Sequence, residues 1–155
     1  MEKKEIEAVL KEHKFFAELS PAQVSAIADC TTEVQYNAGD YIFREGQPSE
    51  QCELIRTGEV ALEIFAPGKG AVVIQTIGEN AIMGWSWLIT PYTKQYDARA
   101  VKLVRALAFD GKRIRTLCDL DPKLGYELLK RFSKIMSDRL WATRIQILDV
   151  YAKNG

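Results

Sequence analysis

The chain has 155 residues, 47% of them hydrophobic and 27% charged, with 21 Lys+Arg balancing 21 Asp+Glu. That is the size and balance of one globular domain able to close its own core, and not of a disordered chain. No apolar run approaches the roughly 20 residues of a bilayer span, and the first seven residues lack the apolar stretch of a signal peptide. Cys30, Cys52 and Cys118 are too few and too scattered for a disulfide framework or, with His13 as the single histidine, a metal site. A reduced, cytoplasmic setting follows as the expectation, with no metal and no membrane contact.

Charge is unevenly spread. Residues 1–110 carry 11 Lys+Arg against 16 Asp+Glu, a net −5, and residues 111–155 carry 10 against 5, a net +5. A zero sum argues against a strongly basic nucleic-acid binder. The positive end reads as a solvated face or as a basic patch.

In chain order, Ile6, Val9, Leu10, Phe15 and Phe16 recur near helical spacing among charges. Ser20-Pro21-Ala22-Gln23 then gives an N-cap serine, a first-turn proline and a capping-box glutamine. The helix it opens carries Val24, Ile27 and Ala28 on one face. From Thr32 to Asp110 short apolar runs recur at 33–36, 41–43, 53–55, 60–64, 72–74 and 105–109. Turn signals such as Asn37-Ala38-Gly39-Asp40, Thr57-Gly58 and Pro67-Gly68 separate them, which predicts an antiparallel sandwich or barrel. A short helix is expected over 112–118. Asp121-Pro122 then caps a long one reaching about Val150. Within it Leu129, Phe132, Met136, Leu140 and Ile147, together with Thr143 and Val150, step by three and four like a two-helix seam. Leu128, Ile135, Trp141, Ile145 and Leu148 lie to one side. A single domain needs one apolar stripe on such a helix, so the second predicts a partner helix, most simply from a second copy. The chain is expected to be one domain over 1–155, with helices over 1–31, a β region over 32–110 and helices over 111–151.

Several phrases resemble the cyclic nucleotide-binding domain, the effector domain of catabolite activator-type regulators and of gated channels and kinases. They are Phe15-Phe16-Ala17-Glu18-Leu19-Ser20, Asn37-Ala38-Gly39-Asp40-Tyr41-Ile42-Phe43-Arg44-Glu45-Gly46, Leu54-Ile55-Arg56-Thr57-Gly58-Glu59-Val60 and Gly78-Glu79-Asn80. The resemblance implies a mainly β fold with flanking helices: a double-stranded β-helix, jelly-roll-like, between N-terminal helices and a long C-terminal helix. It also implies a regulatory module, not an enzyme, and no catalytic motif stands in the sequence.

In that family a Gly-Glu pair opens a helical turn that holds the cyclic phosphate, and an arginine follows ten or eleven residues later. The matching positions here are Met83, Gly84, Trp85, Ser86 and Trp87, then Lys94, Gln95, Tyr96 and Arg99. Trp85 stands for the glutamate and Lys94 for the arginine. Tryptophan cannot accept a ribose hydroxyl, and lysine lacks the bidentate fork. Two lost charged partners at ~1.5–3 kcal/mol each weaken binding a hundredfold or more. Three outcomes are open: weak binding of a cyclic nucleotide (cyclic AMP or cyclic GMP); binding of another small anion, between Trp85 and Trp87 and with Lys94 or Arg99 as anchor; or a pocket filled by its own side chains in a dimeric interaction module. The two tryptophans share a face in an extended segment and diverge in a helical turn. Arg99 lies five residues beyond Lys94, and period two turns it the other way. It is a candidate salt-bridge partner of Asp97.

The phrase from Gly84 to Tyr92 also resembles a bacterial subgroup of stand-alone domains of this fold, so no DNA binding by this chain alone is expected, and a protein partner is. The basic helix residues Lys130, Arg131, Lys134, Arg139 and Arg144 then read as a solvated face. His13 reads as a surface residue without a partner, and the three cysteines as small apolar side chains.

Overall fold

The helix starts are built as their sequences prescribe. In α1 (Lys3–Glu12) Glu2 and Glu5 form a reciprocal capping box. In α2 (Pro21–Asp29) the Ser20 hydroxyl accepts from the Gln23 N–H at 3.1 Å, and the Gln23 side chain accepts from the Ser20 N–H at 2.9 Å. A 3-10 turn, Lys14–Phe16, joins them and drives Phe15 and Phe16 into the core. This computed structural model describes residues 1–154. The side chains of residues 146, 153 and 154 are outside the description, and so is Gly155, the last residue of the expected domain.

Eight strands follow: β1 (Thr31–Tyr36), β2 (Tyr41–Phe43), β3 (Gln51–Thr57), β4 (Val60–Ala66), β5 (Gly70–Ile77), β6 (Ile82–Met83), β7 (Asp97–Ala100) and β8 (Val104–Asp110). They form two antiparallel four-stranded sheets, in the orders β1-β8-β3-β6 and β2-β7-β4-β5. Gly58 makes the β3–β4 turn possible. Its φ is +105°, and a Cβ there would sit 2.3 Å from the Leu103 carbonyl oxygen.

Strands β6 and β7 are missing from the runs read in the sequence. The first has only two residues, too few for a period. The second reads Asp97-Ala98-Arg99-Ala100, with charges that are satisfied inside the protein.

Two apolar clusters result. One fills the roll between the sheets, with Phe43, Ile55, Leu62, Met83, Tyr96 and Ala98 among its members. The other joins the helices to the outer face of the first sheet and contains Phe16, Ile27, Leu54, Trp87, Phe109 and Phe132.

The closing helices are α3 (Gly111–Leu120), capped by the Asp110 carboxylate accepting from the Arg113 N–H at 3.2 Å, and α4 (Pro122–Asn154). Each runs beyond the expected 112–118 and Val150. Helix α4 also corrects the expected seam. Leu124, Leu128 and Phe132 lie four apart, on the face turned to the domain, and all three are buried. Phe132 is therefore a core residue and Met136 a partly buried neighbour of that core. Leu129, Leu140 and Ile147 are 45%, 64% and 50% exposed. Trp141, Ile145, Leu148, Val150 and Tyr151 are exposed with them. Among the described residues no helix is long and apolar enough to cross a membrane.

Candidate ligand cassette

Strand β6 delivers the chain to Gly84, which lies in the left-handed region with φ +86° and ψ 47°. A Cβ at this position would lie 2.9 Å from the Lys94 Nζ and 3.1 Å from the Gln51 carbonyl oxygen. The glycine thus lets a lysine close against the backbone. A 3-10 turn, Trp85–Leu88, follows. Trp87 is fully buried and stands edge-on to Phe132 at 5.6 Å. Trp85 is half-buried against the same helix-side cluster. The two rings therefore build no aromatic wall for a ligand: Trp87 is core, and it anchors the turn to α4. Ser86 is buried, Met83 belongs to the interior of the roll, and Gln95 is exposed with its amide on the Thr93 carbonyl at 3.1 Å.

Lys94 is only 5% exposed. Its ammonium donates to the Gln51 carbonyl at 2.9 Å and sits 4.2 Å from the Phe43 ring centroid. Behind it lies Glu53, a residue the sequence reading passed over. Glu53 is 1% exposed on β3, alternating with Cys52 and Leu54, which face the helices, so its side chain is inside the roll. The Gln51 amide donates to it at 2.8 Å. Burial pushes the Glu53 carboxyl up to about 7, and Lys94, Gln51 and Tyr36 oppose that rise by favouring the charged form. Burial likewise pushes the Lys94 ammonium down, against the pull of Glu53.

Arg99 goes elsewhere. Ala98 and Ala100 fill the roll, so Asp97 and Arg99 lie on the opposite face of β7. The expected Asp97–Arg99 pair is not formed, because each finds a better-placed partner on a neighbouring strand or loop. Arg99 Nε meets the buried Glu63 of β4 at 3.1 Å, with a second contact from Nη2 at 3.3 Å. Asp97 accepts from the Glu45 N–H at 2.7 Å and pairs with Arg44 at 3.4 Å. Lys94, Arg99 and Arg44 thus each face a buried acid, respectively Glu53, Glu63 and Asp97. Among the described residues no group of His, Cys, Asp and Glu could hold a metal ion.

The profile of the cyclic nucleotide-binding domain matches residues 33–121, more than half of the chain. The chain belongs to that family. Across 94% of its length it is 21% identical to the CRP-like cAMP-activated global transcriptional regulator of Mycobacterium tuberculosis, and it spans 63% of that protein, under two thirds. A cyclic nucleotide-binding protein structure from Geobacter metallireducens superposes with a TM-score of 0.77 at 30% identity, covering 86% of this chain and 96% of the other. A cyclic nucleotide-binding domain from Methylobacillus flagellatus gives 0.78 at 24% identity, covering 95% and 83%.

Within this family fold, two further contacts tie the cassette to helices. Arg139 of α4 donates to the Tyr96 hydroxyl at 3.0 Å and to the Ile82 carbonyl. The Tyr96 hydroxyl in turn meets the Gly84 backbone. His13, expected on the surface without a partner, is instead a junction. Its Nδ1 accepts from the Phe15 N–H at 3.0 Å, which puts the ring proton on Nε2, 2.6 Å from the Asn80 carbonyl oxygen. No periodicity marks either residue. Only the three-dimensional meeting of α1, α4 and the 80–82 segment does.

Proposed function

We propose that this chain is a regulatory module of the cyclic nucleotide-binding fold whose cassette is closed by its own Lys94, and that α4 carries its output. The observation that bears this reading is the placement of the Lys94 ammonium: buried, hydrogen-bonded to Gln51 and packed against Gly84. An incoming cyclic phosphate would have to displace that contact. Once ionised, above about pH 7, Glu53 would add a like charge in a low-dielectric interior. The Mycobacterium tuberculosis regulator is named for activation by cAMP; here Trp85 supplies no acceptor for a ribose hydroxyl. Calorimetry with cyclic AMP and cyclic GMP up to millimolar concentration is expected to give no saturable heat. Saturable binding that Lys94→Ala abolishes would overturn the reading.

The exposed apolar residues of α4, from Leu140 to Tyr151, are the proposed contact with a second copy. Light scattering is expected to return twice the 17.5 kDa chain mass. Leu140→Asp with Ile147→Asp is expected to halve it. A concentration-independent 17.5 kDa species in the unmodified protein would refute the dimer.

A further inference from the structure

A cavity of about 620 Å³ opens between the turn Lys14–Phe16, strand β5, the segment 80–82 and the middle of α4. Its size lies within the range of small-molecule sites. The floor is apolar, made by Phe15, Ile77, Ala81, Ile82 and Ile135. The rim is basic, with Lys14, Lys130, Arg131, Lys134 and Arg139. Three acids also reach it, Glu18, Glu127 and Asp138. Positive charge remains in excess by two.

The bases differ in what they already hold. Lys130 and Arg131 share Glu127. Lys134, 77% exposed, pairs with Asp138 on the helix surface, a contact of the kind worth little. Arg139 is different: it is half-buried, and its two hydrogen bonds go to neutral acceptors rather than to a carboxylate. Arg131, Ile135 and Arg139 lie four apart and so form one stripe of α4. An apolar trough with an acid-free guanidinium at its inner end suits a molecule with an apolar body and one anionic head.

We infer that this groove binds a small organic anion with an aromatic or alkyl body, its carboxylate, sulfonate or phosphate head held by Arg139 and its body lying on Ile77, Ile82 and Ile135. The site is separate from the cassette, and it stands whether or not the cassette takes a cyclic nucleotide. Arg139 also links it to the Tyr96 hydroxyl and through that to Gly84, so an occupant would act on the cassette from outside.

Two dyes test it in fluorescence titrations of the intact chain: 1-anilinonaphthalene-8-sulfonate and its uncharged counterpart N-phenyl-1-naphthylamine. The sulfonate is expected to bind one per chain and about tenfold more tightly than the neutral dye. Arg139→Gln is expected to weaken the sulfonate about fivefold or more and leave the neutral dye unchanged. Lys134→Glu, on an exposed side chain that does not threaten folding, is expected to weaken it about twofold. Leu120→Ala, on an exposed side chain at the end of α3, should change neither. Equal affinities for the two dyes, no saturable sulfonate binding, or sensitivity to Leu120→Ala but not to Arg139→Gln would each overturn the inference.

Discussion

Phe132→Ala is expected to lower the free energy of unfolding by about 3–5 kcal/mol, and Leu140→Ala to change it by about 0.5 kcal/mol or less. The two residues lie on the same helix eight positions apart, and the sequence pattern gives them the same role. Their surroundings separate them. Phe132 is 2% exposed and meets the Phe15 ring at 4.8 Å and Trp87 at 5.6 Å, both edge-on. Removing it empties a space bounded by the N-terminal turn, the cassette turn and α3, none of which can collapse without dragging the others. Leu140 is 64% exposed and loses no packing within its own chain. Thermal unfolding at protein concentrations low enough to leave the chain monomeric reads the difference, since association adds its own concentration-dependent stability. For a chain of this size each kcal/mol moves the midpoint by about 2–4 °C. The Phe132 variant should therefore fall by roughly 10 °C while the Leu140 variant stays near the parent. A Phe132→Ala cost below about 1 kcal/mol would mean that α4 does not anchor the core.

The second large effect is a pH dependence seated at Glu53. A carboxyl raised from 4.5 to about 7 in the folded state holds its proton there at pH values where the unfolded chain has released it. The native state then binds more protons than the unfolded one, so stability falls as pH rises between those two values. The difference corresponds to about 3 kcal/mol. Glu53→Gln keeps the shape and removes the titration. Plotted against pH, the stability of the parent minus that of the variant should decline by about that amount from pH 4.5 to 7.5 and be flat below. Lys94 contributes the opposite slope at higher pH: its lowered ammonium means stability rises as pH climbs from its folded value toward 10.5. Chemical denaturation in a pH series measures both. Parallel curves for parent and variant between pH 4.5 and 7.5 would show that Glu53 is solvated and ionised as an ordinary carboxylate.

Much of this fold was written locally. Ser20 with Gln23, Asp110 ahead of α3, and the glycine turns act within a few residues, so the chain itself declares them. The resemblance of whole phrases added the roll and the position of the cassette. What stayed hidden depends on partners distant in sequence. Glu53 sits in an apolar run that reads as an ordinary strand, and nothing nearby signals that Lys94, 41 positions later, will face it. Asp97 and Arg99 look like natural partners because they are neighbours, yet Arg44 and Glu63 reach them from β2's turn and β4. The α4 stripe misled for a related reason. Period alone marks an apolar face but not what covers it, and one face of this helix is covered by its own domain up to Met136 and then emerges.

That emergence sets the mechanics of the molecule. Arg139 grips the roll through the Tyr96 hydroxyl and the Ile82 carbonyl, and about 15 residues of α4 continue beyond it to Asn154. At 1.5 Å per residue that is roughly 22 Å of helix. Turned by about 10° at Arg139, a helix of that length would carry its far end through roughly 4 Å, most of a helical turn. On the proposed reading, in which α4 carries the output, a small adjustment near Gly84 would be enlarged before it reached a surface where another chain would feel it.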